Sequence, residues 1–407
     1  MSMTNVVELR AEGLLPQHVP DELVIDFNFR GDIRLEPDMH RGLATFLGGP
    51  NLFYTPRNGG HWVTVKHPVI MDILRDAETF SATDSNLPPS PGAEKKYPLE
   101  LDPPAHGKWR RYLTPLLAKR VVTQLEHSTV TIVNKMIDDV LGDGGCEFAT
   151  TFGNVVPAHI FMTMMGLPTQ DFDMFRGWAW DVMHSKSTEE KGRVYGLIVG
   201  YLQKLIVARR ETPQEDILTA IATAEIDGEL APIEEARSMC LMLFLGGFDT
   251  TANAMGFAIN HLARYPADRQ ALIDDPELIP QAIEELLRRY GFSTGIRTAT
   301  RDLEFHGIQL CKGDPVMMYT SITGLDEKLF EDPFKVDFKR GRAQHLAFGG
   351  GVHFCPGAHL ARLELHMFLR EWLRRIPQFG IKPGTQTVMR AGNVIGIDHL
   401  ELAWPSA

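Results

Sequence analysis

Most of the chain carries the hydrophobic pattern of amphipathic or buried helices. Between about residues 104 and 289, long apolar or amphipathic segments are separated by short polar turns such as GDGG and EIDGEL. Apolar residues that recur three and four positions apart fall on one face of a helix. The stretches VTQLEHSTVTIVNKMIDDVL and IEEARSMCLMLFLGGFDTTANAMGFAINHLARY are therefore predicted to be helices joined by turns.

Strand patterns are short and lie mostly in the last third of the chain. LEFHGIQL alternates around a turn at Gly307, GDPVMMY follows closely, and GIDHLELAW has the pattern of one further strand. No regular strand–helix–strand alternation of a dinucleotide-binding fold is present. We predict a mainly α protein with small β-sheets. No linker, composition shift or repeat divides the chain, so residues 1–407 are predicted to form a single domain with helix-rich and sheet-rich subregions.

Composition and charge narrow the classes of partner. The 407 residues are 44% hydrophobic and 23% charged, and the formal net charge of −11 argues against a general nucleic-acid partner. No apolar stretch is long enough to span a membrane, and the N-terminus lacks the pattern of a signal peptide. We expect a cytoplasmic protein without a membrane partner. The four cysteines have no metal-finger spacing and are expected to be reduced thiols.

One cysteine, Cys355, lies in the glycine-rich stretch AFGGGVHFCPGAHLARLE. The spacing does not match a phosphate-binding loop, but glycines also let backbone approach a flat ligand closely. Pro356 suits the first turn of the helix that follows, and a cysteine at a helix N-terminus is expected to have a lowered pKa. The alternative is an ordinary buried cysteine in a turn.

A second unusual stretch, GGFDTTAN, interrupts the most apolar predicted helix. Glycine is a poor helix former and a buried carboxylate needs partners, so this composition indicates a function. Thr250 is predicted to donate a hydrogen bond to the carbonyl of Gly246 and to open the helix locally. A plain kink with satisfied polar groups is the alternative.

The cysteine stretch resembles the haem-binding signature of the cytochrome P450 family at all five specified positions, Phe348-x-x-Gly351-x-His353-x-Cys355-x-Gly357. The resemblance implies the cytochrome P450 fold, with haem b, iron protoporphyrin IX, between the long central helix and the cysteine loop. It also implies that Cys355 is the axial thiolate ligand of the haem iron, the metal site, and that His353 donates to a haem propionate.

Two further stretches are similar to elements of this family. GGFDTTAN matches Gly-x-Asp-Thr, which implies that Asp249 and Thr250 are the catalytic acid and alcohol that deliver protons to dioxygen, and that Gly246 and Gly247 make room for it. EELLRR contains an ExxR element, which implies a structural ion-pair network. Its members are Glu285, Arg288 and Arg340. Taken alone, charges at this spacing are common on solvated helix faces.

The stretch DPPAHGKWRRYL resembles the family element Asp-Pro-Pro-x-His-x-x-x-Arg, and here His106 and Arg110 occupy its last two positions. The resemblance places both at the cofactor, with Arg110 on a haem propionate and Arg297 as a further propionate ligand. Where the family has an aspartate that helps to hold a propionate, this chain has Gly295.

The likeness extends nearly end to end to the camphor-hydroxylating branch. It implies a pocket for a compact hydrophobic substrate, such as a terpenoid or norisoprenoid ketone. The candidate pocket residues, each of which could equally belong to the core, are Met242, Leu245, Phe248, Asn393, Val394 and Tyr97. Tyr97 lies closer to Asp102 than the substrate-binding tyrosine of that branch does.

No flavin or nicotinamide motif is present, so the resemblance implies that electrons come from a [2Fe-2S] ferredoxin with its ferredoxin reductase. A basic face near the cysteine would favour an acidic donor. Its candidates are Lys108, Arg110, Arg111, Arg342 and Arg362. Scattered solvated charges are the alternative. The function predicted is an O₂-dependent haem-thiolate monooxygenase; the alternatives are a haem-thiolate peroxygenase, a non-catalytic haem-based gas sensor and a haem-free helical scaffold.

Overall fold

The computed structural model describes residues 3–89, 94–184, 187–341 and 344–405. These residues form fourteen α-helices and fourteen short strands, which confirms the mainly α prediction. The helices are α1 (Met3–Ala11), α2 (Met39–Ala44), α3 (His67–Arg75), α4 (Ala105–Leu116), α5 (Lys119–Val122), α6 (Glu126–Val140), α7 (Val156–Met165), α8 (Phe172–His184), α9 (Thr188–Glu211), α10 (Ile217–Ala222), α11 (Ile233–Arg264), α12 (Pro266–Asp274), α13 (Ile279–Arg289) and α14 (Ala358–Arg375). In the part of the chain that the structure describes, no helix is both long and apolar enough to cross a membrane.

The strands form five small sheets. They are β1 (Phe53–Thr55), β2 (His61–Thr64), β3 (Phe80–Ser81), β4 (Gly145–Glu147), β5 (Glu225–Ile226), β6 (Glu229–Leu230), β7 (Gly295–Ala299), β8 (Leu303–Phe305), β9 (Ile308–Leu310), β10 (Pro315–Met318), β11 (Gly380–Ile381), β12 (Val388–Arg390), β13 (Gly396–His399) and β14 (Glu401–Ala403). The largest sheet has the order β1-β2-β10-β7-β3, and a second has the order β11-β14-β4. The pairs β5-β6, β8-β9 and β12-β13 form two-stranded sheets.

Helix α11 is the central element of the fold. Its 32 residues correspond to about 48 Å of helix at about 1.5 Å per residue, and nearly all of its C-terminal half is buried. It packs against α7, α9, α10, α13 and α14. The helix ends before Pro266, because the residue that precedes a proline disfavours helical backbone. A continuous apolar core is thereby built around the segment that contains GGFDTTAN.

One turn prediction and one strand prediction needed revision. EIDGEL is a β5-β6 hairpin rather than a plain turn, because Asp227 and Gly228 both take positive φ values of 58° and 86°, as a tight hairpin turn requires. GIDHLELAW contains two strands: β13 pairs with β12, whereas β14 joins β11 and β4. The predicted turn at Gly307 between β8 and β9 is confirmed.

Candidate active site

A cavity of ≈ 330 Å³ lies between α11, α4, the start of β7 and the loop that precedes α14. Cys355 lines it from the loop, and Thr250 lines it from α11. The wall is mostly apolar, with side chains such as Phe161, Met242 and Phe292. The cysteine stretch and the unusual helix stretch therefore share one cavity, although Cys355 and Thr250 are 105 residues apart in sequence.

The loop that carries Cys355 depends on its glycines. Gly349 and Gly351 have φ values of 67° and 62°, a region that L side chains rarely adopt. A Cβ on Gly351 would lie 1.9 Å from the carbonyl oxygen of Leu74, so no other residue fits there without moving the backbone. The turn is closed by the backbone N–H of Cys355, which donates to the carbonyl of Phe348 at 2.9 Å.

The electrostatics of Cys355 differ from the prediction. Helix α14 begins at Ala358 with Gly357 as its N-cap, so Pro356 lies before the helix rather than in its first turn. Burial raises the pKa of the Cys355 thiol, and the opposing effects of the Gly357 N–H and of the charges of Arg110 and Arg362 do not reverse this rise. The expected low pKa was therefore wrong for the protein without a metal. A coordinating metal ion would supply the missing charge and deprotonate the thiol.

Three basic side chains on the cavity wall have few or no hydrogen-bond partners. Arg297 is 7% exposed, and the hydrogen bond of its guanidinium is to the adjacent carbonyl of Ile296, at 2.7 Å. Burial lowers the pKa of Arg297 to about 10, against a smaller opposing effect of Asp102. The rings of His106 and His353 lie 4.2 Å apart, and the buried Nε2 atom of each has no hydrogen-bond partner. Burial, followed by the charges of nearby arginines and His106, lowers the pKa of His353 to about 3.

These three side chains provide the test of whether the site fits haem. A buried cation without a counter-charge is costly, as is a buried polar atom without a hydrogen bond. A group with two carboxylates at this end of the cavity would satisfy Arg297, His106 and His353 together. Haem b carries two propionates, and Cys355 lines the same cavity. The residues present therefore fit the group.

Arg110 occupies a different position from the other donors. It lines the cavity, but its guanidinium donates to the carbonyl of Phe354 in the cysteine loop. Burial lowers its pKa, and the nearby Cys355 opposes this shift. The arginine therefore fastens α4 to the cysteine loop, and a propionate contact for it stays a prediction.

In the polar segment of α11, Thr250 and Asp249 lie at two different cavities. Thr250 Oγ1 donates to the Gly246 carbonyl at 2.7 Å, as predicted, while the residues around it remain α-helical. Thr250, Gly246 and Gly247 line the cavity. Asp249 does not; its carboxylate pairs with Arg390 of β12 at 3.0 Å beside a separate, water-sized cavity of ≈ 10 Å³.

Only some of the predicted pocket residues line the cavity. Met242 and Tyr97 do so. Leu245 lies outside the wall and packs against the main apolar core. Phe248 is 5% exposed and belongs to the same core, where its ring contacts Phe244 at a centroid distance of 4.9 Å. The rotation of α11 turns both side chains away from the cavity, and an amino-acid pattern that is apolar on every face could not reveal that rotation.

The two C-terminal candidates lie one layer behind the wall. The carbonyl of Asn393 accepts hydrogen bonds from the backbone N–H and Oγ1 of Thr294, at 3.1 and 2.7 Å. Val394 forms an isolated bridge with Ser293. Ser293 and Thr294 themselves line the cavity. Sequence reasoning missed them because it had no means of pairing this segment with the C-terminal hairpin.

The predicted ion-pair network is present and buried. Arg288 donates to both carboxylate oxygens of Glu285 at 2.7 and 2.8 Å, and Arg340 Nε donates to the same carboxylate at 3.1 Å. The side chains of Arg288 and Glu285 are 0% and 3% exposed, which excludes a solvated helix face. Arg288 also donates to the carbonyls of Pro333 and Lys335. The network therefore ties α13 to the segment that leads into the cysteine loop.

Two members of the predicted basic face form ion pairs with carboxylates of the protein itself. Lys108 pairs with Asp227, and Arg362 binds the carboxylate of Glu284 at 2.6 and 2.8 Å. Arg342 lies outside the described residues. Arg111 is exposed and has no ion-pair partner within the part of the chain that the structure describes. A basic face for an electron donor therefore stays a prediction.

Comparisons with known proteins identify the family. The model for the family described as Cytochrome P450 matches residues 156–393. A protein of Sinorhizobium fredii named probable cytochrome P450 127A1 is 35% identical over 401 residues, which cover 96% of this chain and 97% of that protein. A steroid C26-monooxygenase of Mycobacterium tuberculosis is 31% identical over 319 residues, which cover 76% of this chain and 85% of that protein.

Solved structures agree with this assignment. The crystal structure of CYP101J2 matches with a TM-score of 0.90 and 33% identity over 96% of this chain and 99% of that one. The crystal structure of cytochrome P450 CYP101C1 matches with the same TM-score and identity, over 96% of this chain and all of that one. The chain therefore has the cytochrome P450 fold and belongs to the bacterial cytochrome P450 monooxygenases, haem b–thiolate oxidoreductases, close to the branch of these two structures.

Proposed function

We propose that this cytochrome P450 hydroxylates a compact apolar substrate with O₂ and with electrons from a [2Fe-2S] ferredoxin and its reductase. The observation that carries the proposal is the apolar cavity that Cys355 and Thr250 both line, beside the buried Arg297 and the unpartnered Nε2 atoms of His106 and His353. In this proposal Cys355 is the thiolate ligand and the three donors hold the propionates. When bound, haem supplies the chemistry of O₂ activation and oxygen insertion.

Thr250 and Asp249 have separate tasks in this proposal. The Thr250 hydroxyl donates its hydrogen bond to the Gly246 carbonyl. Its oxygen is therefore free to accept a hydrogen bond from a donor inside the cavity. Asp249 lies beside the water-sized cavity on another side of α11, and in this proposal protons reach the main cavity from that side. Arg390 holds the Asp249 carboxylate in place. Gly246 and Gly247 keep the helix surface free of side chains where O₂ enters.

The cavity wall favours an apolar substrate with at most one polar group. Phe161, Met242 and Phe292 contribute only apolar surface. Tyr97 adds a phenol whose pKa is raised by burial and by the charge of Glu235, so it stays a neutral hydrogen-bond donor. A terpenoid or norisoprenoid ketone fits these properties. The relatives named for a steroid and for vitamin D3 make those compounds the natural additions to a substrate screen.

The surface over the cysteine loop suits a protein donor that makes mostly apolar contacts. Val352 and Phe354 flank Cys355 closely in sequence, and each is 44% exposed. Arg111 supplies an accessible positive charge on α4. A ferredoxin with an apolar contact patch and a nearby carboxylate would complement this surface.

A CO spectrum and one substitution test the proposal. The reduced, CO-treated protein is expected to show the red-shifted Soret band of a thiolate ligand, and a terpenoid ketone is expected to shift the spin state. With a substrate found in this way, Thr250→Ala should divert electrons to peroxide and lower the product formed per NADH by about tenfold. Thr131→Ala is the matched control, because Thr131 makes the same hydrogen bond to the carbonyl four residues earlier, at 2.8 Å, on an exposed face of α6.

Each rival function predicts a different result. Tightly coupled product formation by Thr250→Ala would remove the proton-delivery role. Product formation from hydrogen peroxide without NADH would favour a peroxygenase. A thiolate–CO Soret band in a protein that consumes no reductant would favour a gas sensor. A Soret band typical of a neutral ligand in intact protein would overturn the assignment of Cys355.

A further inference from the structure

A short segment between β3 and α4, residues 94–100, forms part of the wall of the main cavity. Tyr97, Pro98 and Leu99 line the cavity, although the segment belongs to neither a helix nor a strand. Without the hydrogen bonds of a helix or a sheet, the position of such a segment depends on its side chains and on what they bind. The contacts of residues 94–100 therefore determine the shape of this wall.

A buried ion pair holds the C-terminal end of this segment. Glu100 is 3% exposed, and the ammonium group of Lys96 donates to its Oε1 atom at 2.6 Å and to Ser85 Oγ at 3.1 Å. The backbone N–H groups of Ser85 and Lys96 also donate to the carboxylate, at 3.2 and 2.9 Å. Burial acts to raise the pKa of Glu100, but the hydrogen bonds of Lys96 and Ser85 outweigh it and lower the pKa. In the ranges that the structure describes, Lys96 is the one ion-pair partner of this ionised carboxylate.

Helix α11 holds the N-terminal end of the same segment. Ser238 is 2% exposed, and its Oγ atom accepts from the backbone N–H of Tyr97 at 2.9 Å and donates to the carbonyl of Lys95. One residue earlier on α11, Arg237 donates to the carboxylate of Glu94 at 2.8 and 3.0 Å. Tyr97 is therefore fixed by α11 on one side and by the buried ion pair on the other.

We propose that Lys96 and Glu100 are positioning residues for the substrate: their buried ion pair fixes residues 94–100 so that the Tyr97 hydroxyl donates a hydrogen bond to a carbonyl oxygen of the bound substrate. The pair thereby sets the preference of the cavity for a ketone over a hydrocarbon of the same shape. Removing either charge leaves the other without its partner inside the protein, which releases the segment. This inference deepens the proposed function and rests on it, because the acceptor is the ketone of the substrate.

Hydrogen exchange of the haem-loaded protein tests the anchoring without any substrate. Lys96→Met keeps the aliphatic part of the side chain and removes the ammonium group. It should raise the exchange rates of the backbone amides of residues 96–100 about tenfold, because a hydrogen bond between charged groups no longer closes the segment. Lys95→Met is the matched control and should leave these rates unchanged, because Lys95 is exposed. If Lys96→Met exchanges at the wild-type rates, the inference is overturned.

Substrate discrimination tests the consequence for binding. Spectral titrations with camphor, a terpenoid ketone, and with bornane, the hydrocarbon of the same carbon skeleton, give two Kd values whose ratio reports the hydrogen bond to the ketone. Tyr97→Phe and Lys96→Met should each lower the preference for camphor about tenfold, whereas Lys95→Met should leave it unchanged. A wild-type ratio in either Tyr97→Phe or Lys96→Met would refute the positioning role. Camphor that binds wild type no more tightly than bornane would also overturn it.

The proposed function fails in a different way. It is refuted if wild type lacks the thiolate–CO band or if Thr250→Ala stays coupled, and neither result depends on the Lys96–Glu100 pair. Should Lys96→Met fail to load haem, Glu100→Gln removes the other charge of the pair and is measured in the same two ways. Wild-type exchange rates or a wild-type ratio of the two Kd values in Glu100→Gln would then overturn the inference.

Discussion

Replacing Arg288 by methionine should destabilise the protein strongly, because it leaves the buried Glu285 without its main partner. The two side chains are 0% and 3% exposed. Glu285 would retain the more peripheral Arg340 and the backbone N–H of Asp337, which donates to it at 2.9 Å. Removing one member of a buried pair costs about 3–5 kcal/mol. Arg288 also satisfies carbonyls of the segment that leads to the cysteine loop, so its loss exposes those acceptors too.

The expected change in the midpoint of thermal unfolding follows from the size of the protein. At about 2.1 cal/mol/K per residue, 407 residues give an unfolding entropy of about 0.85 kcal/mol/K. A loss of about 3–5 kcal/mol therefore lowers the midpoint by about 4–6 °C. Circular dichroism of the haem-loaded protein at a fixed scan rate measures it.

A matched control separates burial from pairing. Arg193 pairs with Glu190 at the same three-residue spacing and at 2.7 Å, but the two side chains are 58% and 41% exposed. Arg193→Met should leave the midpoint unchanged, because water solvates the partner that remains. If Arg288→Met shifts the midpoint by no more than Arg193→Met, the reasoning about the buried network is refuted.

The other predictions concern the donor surface and the dependence of stability on pH. Arg111→Glu should slow reduction by an acidic ferredoxin about threefold at low salt. The effect should be smaller at high salt, because salt screens exposed charges. Arg193→Glu is the control, and equal low-salt rates for Arg111→Glu and wild type would contradict docking at this face. Burial acts to raise the pKa of Glu284, but the hydrogen bonds and charges of Arg362 and His345 outweigh it and hold the pKa at about 2, below the ordinary 4.5. Ionised Glu284 therefore stabilises the fold above pH 4.5, and this stabilisation is lost as the pH falls toward about 2. In urea unfolding, Glu284→Gln should be less stable than wild type at neutral pH and should lose less stability between about pH 5 and pH 3. If the free energy of unfolding of Glu284→Gln falls with pH as steeply as that of wild type, the pairing is contradicted.

Local spacing was sufficient to predict several features of this protein. The hydrogen bond from Thr250 to Gly246 and the pair between Glu285 and Arg288 lie within one turn of a helix, where backbone geometry alone brings the groups together. The glycine-rich loop around Cys355 was predicted in the same way, because a close approach and positive φ values call for glycine. Helix periodicity likewise predicted the mainly α architecture.

Contacts between distant elements were decided only by the tertiary structure. Arg390 reaches Asp249 across 141 residues, and Glu284 neutralises Arg362 across 78. Phe248 proved to be core because the rotation of α11, not its composition, sets which residues face the cavity. Burial likewise outweighed the helix effect expected at Cys355. Sequence spacing determines what meets within a turn, whereas the packing of helices and hairpins determines which charges are paired, which are buried and which line the cavity.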